Sequence, residues 1–246
     1  MFNFGLIGDN LPNSFSKSHF SALFRELRLE NYHYDNYPIE DINNLSSLLE
    51  KIENPIGFNI TKPYKKKIIP LLDSIDEESR MIGAVNTIRI HKGKLYGYNT
   101  DAFGFEQSLI PILTPVWKAA MVFGNGGAAA AITYVLRKLQ IPFIQLSRDA
   151  SKGMKYDELR SVHFESHSLL VNCTPLGMRP DLNSSPPIPY EFINENHLAY
   201  DLVYDPEETL FLKRCREKGA SIKNGLEMLY LQAARSWEIW NADSVI

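Results

Sequence analysis

The sequence predicts an α/β protein of two domains, and three observations carry that expectation. Short apolar runs bounded by Gly, Pro, Asn or Asp alternate with longer stretches of helical periodicity, the pattern of strands interleaved with covering helices. A glycine-rich turn, Gly124-Asn125-Gly126-Gly127, stands between an apolar run and an alanine-rich stretch in mid-chain. The pattern is interrupted near residues 103–118, which divides the 246 residues into two portions of ordinary domain size.

In the first portion, Phe2 to Ile7 reads as a strand ending at Gly8, and a helical pattern runs from about Lys17 to Leu27. Residues His33 to Pro38 and Ile56 to Thr61 read as strands, with a helical stretch from Ile42 to Ile52 between them. Pro63 suits a first helical position, so Tyr64 to Leu72 is expected to be helical with Lys65 in or near its first turn. Thr87 to His91 and Lys94 to Tyr98 form a hairpin about Lys92-Gly93. In the second portion, the strand Ala119 to Phe123 feeds the glycine turn and a helix from Ala128 to Leu139. Phe143 to Leu146, Ser168 to Val171 and Leu198 to Leu202 are further strands of what should be a parallel sheet covered on both faces. A final helix, about Leu226 to Ala242, is expected to return to the first domain and leave a ligand cleft between the two. The division is therefore 1–103 with 226–246, and 104–225.

Hydrophobic residues at 44% and charged residues at 22% are those of an ordinary globular chain. The net charge of -3 makes no electrostatic case for a nucleic-acid partner. No apolar run is long enough to span a bilayer, and no signal peptide opens the chain. Two cysteines, Cys173 and Cys215, suggest a reducing compartment and packed thiols, so a cytoplasmic location is expected. The six histidines form no metal motif: His163 and His167 would share a face only if their segment were helical. No metal is expected.

Gly124-Asn125-Gly126-Gly127-Ala128-Ala129 matches G-x-G-x-x-A directly after a strand and before a helix. Its glycines permit a tight turn and close approach to a pyrophosphate, which the free N–H groups of the helix N-terminus would bind. The next strand ends at Ser147-Arg148-Asp149. A cation there suits the 2′-phosphate of NADP and an acid suits the ribose hydroxyls of NAD. Arg148, with Lys152 adding charge, favours NADP, although Asp149 could pair with Arg148 or repel the phosphate.

The segment Gly57-Phe58-Asn59-Ile60-Thr61-Lys62-Pro63-Tyr64-Lys65 gathers an amide, a hydroxyl and an ammonium. In an extended backbone, Asn59 and Thr61 share a face. At a helix N-terminus beside Lys66 and Lys67, the protonated form of Lys65 would be disfavoured, which helps proton transfer. The plainer reading is a solvated basic face.

Read together, these stretches resemble the shikimate dehydrogenases, including the related quinate/shikimate enzymes, over nearly the whole chain. Ser14 and Ser16 match the Ser-x-Ser substrate loop, and Gly57 to Lys65 is similar to the Asn-Val-Thr-x-Pro-x-Lys signature. Gly83-Ala84-Val85-Asn86-Thr87, Asn99-Thr100-Asp101, the Gly124 turn and Asn172-Cys173-Thr174-Pro175-Leu176-Gly177-Met178 follow in order. Asp201-Leu202-Val203-Tyr204 and Gly225 to Gln232 complete the series. The chain departs from the pattern at Asn13, often His; Lys17, often Pro; Ser147, often Asn; and Asp149, usually Thr.

The resemblance implies an N-terminal substrate domain, a Rossmann-type domain, and NADPH-dependent reversible reduction of 3-dehydroshikimate to shikimate, on the path to chorismate and the aromatic amino acids. It implies Lys65 as proton donor, with Asp101 holding Lys65 and the reacting hydroxyl in line. Asp101 could instead cap a helix. Ser14 and Ser16, on one face of an extended loop, would take the substrate carboxylate. Asn59, Thr61, Asn86 and Gln232 would take ring hydroxyls, with Tyr204 reaching the same pocket. Gly124, Asn125, Gly126, Gly127, Ala128, Ser147, Arg148, Lys152, Thr174, Leu202 and Gly225 would bind the cofactor. Plainer readings stand beside these: backbone-bonding loop residues for Ser14, Ser16 and Asn86, and a helix-start glycine for Gly225. A small-molecule substrate is the implied partner, and the protein a monomer or homodimer without nucleic-acid or membrane partners.

Overall fold

Nearly continuous apolar strands need cover on both faces, and this requirement shapes both halves of the chain. The computed structural model describes residues 1–9, 11, 14–115, 117 and 119–245. Asn13, one of the departures from the family pattern, lies outside the described residues. The chain divides into two compact units, Met1–Thr100 with Ala233–Ile246, and Asp101–Gln232.

The first unit contains β1 (Phe2–Gly8), α1 (Phe15–Glu26), β2 (Tyr32–Pro38), α2 (Leu45–Leu49), β3 (Pro55–Ile60), β4 (Ser74–Ile75), α3 (Glu77–Ile82), β5 (Thr87–His91) and β6 (Lys94–Tyr98). Its six strands form one sheet in the order β2-β1-β3-β5-β6-β4. β1 runs parallel to β2 and β3, whereas the β5–β6 hairpin is antiparallel to β3. One face buries Ile7, Phe58, Ile60, Tyr64, Ile68 and Ile88. The other buries Phe4, Leu6, Phe20 and Phe24 with Ala233, Ile239 and Trp240, so the end of the C-terminal helix belongs to this unit's core. Gly57 is required there: a Cβ would lie 2.2 Å from Cδ1 and Nε1 of Trp240.

Three sequence expectations fail in this unit. Tyr64 to Leu72 is not an α-helix but a series of turns closed by a 3-10 turn at Ile69–Leu71. The reason is tertiary. The buried Tyr64 hydroxyl bonds to the carbonyls of Ile39 (2.6 Å) and Glu40 (2.8 Å), and the Lys65 carbonyl accepts the N–H of Val85 (2.7 Å). That carbonyl is therefore not available to a helical partner four residues on. Ser14 and Ser16 are likewise not on an extended loop: α1 begins at Phe15, so Ser14 is its N-cap and Ser16 lies in its first turn. The expected helix from Ile42 to Ile52 is a 3-10 turn, Ile42–Asn44, followed by the short α2.

The second unit follows α4 (Thr100–Leu109) with β7 (Ala120–Phe123), α5 (Gly127–Lys138), β8 (Phe143–Leu146), α6 (Ser161–Ser166), β9 (Leu169–Asn172), β10 (Leu198–Asp201), α7 (Leu210–Glu217), β11 (Ser221–Lys223) and α8 (Leu226–Asn241). Its sheet is wholly parallel in the order β11-β10-β9-β7-β8. Every residue of β7, β9 and β10 is buried. The strand order reverses between β7 and β9, the switch point where open α/β sheets bind ligands beyond the strands' carboxyl ends. The fold is thus two α/β domains, an N-terminal one and a Rossmann-type one, with the C-terminal helix contributing to the first.

His163 lies in α6 and His167 just after it, and no cluster of three His, Cys, Asp or Glu among the described residues could hold a metal. Among the same residues no helix is long and apolar enough to cross a membrane.

Candidate active site

In the first unit, a polar residue at the start of a helix is drawn to the unpaired N–H groups there. Ser14 accepts the N–H of Lys17 (3.2 Å) and donates to Asn36 Oδ1 (2.6 Å). Lys17 pairs with Asp35 across an exposed 2.6 Å contact. Burial pushes the pKa of the Tyr34 hydroxyl well up, and the Ser16 side chain offsets a small part of that rise. Tyr34 in turn donates to Asn59 Oδ1 (2.8 Å).

Asn59 is 5% exposed. Its Nδ2 donates to Thr87 Oγ1 (3.2 Å) and Ser236 Oγ (2.9 Å), so both amide hydrogens have partners within the fold. Thr61, two residues on, is half-buried, and its backbone is clamped by a bond from its N–H to the Ile7 carbonyl (3.0 Å). Asn86, 3% exposed, accepts the N–H of Thr100 (2.7 Å), the first residue of α4, and donates to Thr100 Oγ1 (3.0 Å). Asn86 thus sets the start of the helix that carries Asp101. Lys65 is half-buried, while Lys66 and Lys67 are exposed. The solvated basic face therefore describes Lys66 and Lys67, and the helix dipole invoked for Lys65 is not present.

In the second unit, Asp101 is 6% exposed within the first turn of α4 rather than at its cap, so its capping reading fails. A carboxylate there faces the positive end of the helix dipole. Gln232 is half-buried in α8; its Nε2 donates to the Leu229 carbonyl (3.1 Å) of the same helix. Tyr204 follows β10, with its pKa raised by burial and by Asp205.

The nucleotide side is built around the switch point. Gly124, directly after β7, has φ +107°, and a Cβ there would lie 3.1 Å from the Thr174 methyl beyond β9. Asn172 Oδ1 holds Thr174 through its N–H (3.0 Å) and hydroxyl (2.6 Å). Gly126 is the N-cap of α5, followed by Gly127 and Ala128; no side chain caps the helix, and nothing lies within 4 Å of a Cβ at Gly126. Free N–H groups and open space at a helix N-terminus suit a pyrophosphate.

Beyond β8, Asn125 Nδ2 bonds to the buried Ser147 hydroxyl (2.8 Å), which also accepts the N–H of Asp149 (3.0 Å). Asp149 accepts from Ser151 and pairs with Lys152 (3.1 Å) rather than with Arg148, and these contacts hold its carboxyl below the usual range. The Arg148 side chain is exposed and makes no hydrogen bond or ion pair among the described residues. The Asp149 carboxylate is thus taken up by Ser151 and Lys152. Gly225 lets α8 approach β10: a Cβ would meet the Leu202 carbonyl oxygen at 2.1 Å.

The sequence motifs include Asn172 and Asp201 without giving either a role, and Ser236 stands in none of them. Asp201 is fully buried and accepts from Asn172 Nδ2 (2.9 Å), the Val203 N–H (3.0 Å) and the Thr209 hydroxyl (2.6 Å). Burial pushes its pKa up to about 7. An acid ending an apolar strand was the available signal. Burial, then the nearby carboxylates of Asp201 and Asp101, push the Cys173 thiol up, and burial does so for Cys215; neither is an activated nucleophile.

The family model for the shikimate dehydrogenase substrate binding domain matches residues 6–88. The shikimate dehydrogenase (NADP(+)) of Clostridium beijerinckii is 38% identical over 251 residues, covering 96% of this chain and 91% of its own. The structure of Thermus thermophilus shikimate 5-dehydrogenase in complex with NADP(H) and shikimate matches with a TM-score of 0.86 at 30% identity, over 98% of this chain and 94% of that one. The ligand-free 5-ketofructose reductase of a Gluconobacter strain matches with a TM-score of 0.83 at 28% identity, over 100% and 94%. Identity of this extent along almost the full length shows that the chain belongs to the shikimate dehydrogenase family.

Proposed function

We propose that this protein is an NADP-dependent shikimate dehydrogenase, reversibly reducing 3-dehydroshikimate to shikimate on the path to chorismate and the aromatic amino acids. The observation that carries the reading is the 38% identity to an enzyme of that name across 96% of the chain, substrate segment and nucleotide turn included. Most of the proposed substrate residues belong to the first unit, and the proposed cofactor residues belong to the second. The protein acts on a small molecule in the cytoplasm, as a monomer or homodimer.

Reduction of a ketone requires a hydride at carbon and a proton at the oxygen that becomes an alkoxide. Bound NADPH supplies the hydride. Lys65 gives its proton to that oxygen in reduction and takes it back in oxidation, with Asp101 as the second ionisable group of the reaction. Ser14 and Ser16 receive the substrate carboxylate, and Thr61, Asn86, Gln232 and Tyr204 meet the ring substituents. Asn59, whose amide hydrogens bond to Thr87 and Ser236, can offer a hydroxyl only its carbonyl oxygen. Gly124, Asn125, Gly126, Gly127 and Ala128 cradle the pyrophosphate, and Arg148 binds the 2′-phosphate with Ser147 and Lys152 shaping its turn. Thr174, Leu202 and Gly225 line the nicotinamide end.

The test is formation of reduced nicotinamide from shikimate or quinate with NADP or NAD, using native protein and Arg148→Ala. Rapid turnover confined to shikimate and NADP is expected. Loss of a charge-assisted phosphate contact in Arg148→Ala should raise the KM for NADP roughly 10- to 100-fold and leave that for NAD unchanged. Comparable turnover with quinate or NAD would assign a broader specificity, and no turnover with any pair would make the chain a nucleotide-binding module.

A further inference from the structure

We propose that Ser236, with Thr87 and Thr100, forms a buried hydroxyl cluster that positions Asn59 and Asn86, the two asparagines on the substrate side. The functional consequence rests on the reading of the first unit as the shikimate-binding one; the positioning itself does not.

Ser236 lies on the face of α8 that buries Ala233, Ile239 and Trp240, and it is fully buried. A hydroxyl in such a place is unfavourable unless its hydrogen bonds are made. Here they are: Ser236 Oγ accepts from Asn59 Nδ2 (2.9 Å) and lies 2.9 Å from Thr87 Oγ1 and 3.3 Å from Thr100 Oγ1. Thr87 and Thr100 are also fully buried.

One donor here cannot reverse. The backbone N–H of Thr100 points at Asn86 Oδ1 (2.7 Å), which fixes which end of that amide is the acceptor. The Thr87 hydroxyl lies 3.2 Å from the same oxygen, to which it can only donate, and in that arrangement it accepts from Asn59 and Ser236. Ser236 therefore donates to Thr87 and accepts from Asn59 Nδ2. The amide of Asn59 is thereby turned with Nδ2 towards the cluster and Oδ1 towards the Tyr34 hydroxyl, which donates to it (2.8 Å). Tyr34 has then used its only proton, and the run ends there. In this arrangement the backbone N–H at the start of α4 opens a run of one polarity that ends at Tyr34. The run crosses β5, α8, β3 and β2 and includes two residues of the substrate side, Asn86 and Asn59.

The experiment compares Thr87→Val, which removes the hydroxyl at nearly constant shape, with Thr87→Ser, which keeps it, and adds Ser236→Ala as an independent break. Side-chain amide signals of Asn59 and Asn86 are followed by NMR on the full chain, alongside melting temperature, kcat and the KM for each substrate. The expected result for Thr87→Val and Ser236→Ala is displaced amide signals of both asparagines. It comes with a rise of about tenfold in the KM for shikimate, the scale of one hydrogen bond, at unchanged KM for NADP. Thr87→Ser should restore both readouts. Amide signals superimposable on those of the native protein would overturn the proposal, as would a lowered melting temperature with both KM values unchanged. Failure of the native protein to turn over shikimate would instead sink the functional reading, while the amide signals would still decide the positioning.

Discussion

Replacing Gly126 by alanine should spare the fold and weaken NADP, whereas the same replacement at Gly124 should strain the fold itself. Gly126 has φ -75° and ψ -170°, extended backbone open to any residue, and a Cβ there meets nothing within 4 Å. Lower freedom in the unfolded chain would add about 0.4–1 kcal/mol of stability, and alanine's poorer fit at an N-cap would remove a comparable amount, so the melting temperature should hold within a few degrees. The open space is, however, where the cofactor pyrophosphate is proposed to sit. A methyl group forced into a packed contact costs about 1–3 kcal/mol, which corresponds to a rise of roughly 5- to 150-fold in the Kd for NADP. At Gly124, φ is +107°, and the new Cβ would lie 3.1 Å from a Thr174 methyl that two hydrogen bonds to Asn172 hold in place. Backbone strain of about 1–3 kcal/mol with about 1 kcal/mol of crowding should lower the melting temperature by roughly 5–15 °C. The assay is thermal unfolding of both variants without ligand, followed by calorimetric titration with NADP. An unchanged NADP affinity in Gly126→Ala would refute a pyrophosphate at the α5 N-terminus. A native melting temperature in Gly124→Ala would refute the strain argument.

Lys65→Ala should lower kcat about 10²- to 10⁴-fold with little change in KM, the range for loss of a general acid–base group; a loss confined to KM would make Lys65 a binding residue only. Asp201, with its pKa raised to about 7, keeps its proton in the folded chain after the unfolded chain has released it near pH 4. Its contribution is therefore complete below about pH 4 and is lost as pH rises through 7, so the native protein should lose stability relative to Asp201→Asn across that window. Parallel profiles of melting temperature against pH for the two proteins would contradict this. Gly57→Ala places a Cβ 2.2 Å from Trp240 and drives the indole from its 2.9 Å bond to the Ile88 carbonyl. A loss of about 3 kcal/mol or more and a red-shifted tryptophan emission are expected, and a native melting curve would count against it.

What the sequence determined by itself was whatever depends on neighbours along the chain. Apolar runs marked the longer strands of both sheets, Lys92-Gly93 marked the hairpin, and the glycines after Phe123 marked the turn into α5, because strand period, turn conformation and the first helical residues are local properties. The three-residue β11 and two-residue β4 were too short to carry a period, and they exist because β10 and β6 offer them an edge. Tertiary contacts decided the rest. Tyr64 is held by carbonyls 24 and 25 residues earlier, which breaks the expected helix around Lys65. Asp149 faces Lys152 and Ser151 rather than Arg148, a choice between neighbours that charge alone leaves open. Ser236 meets Asn59 across 177 residues, and nothing in the period of α8 distinguishes that hydroxyl from an exposed one. A hydrogen bond between distant residues is specified only once the chain has brought them together, so the candidate residues were legible in the sequence while their partners and orientation were not.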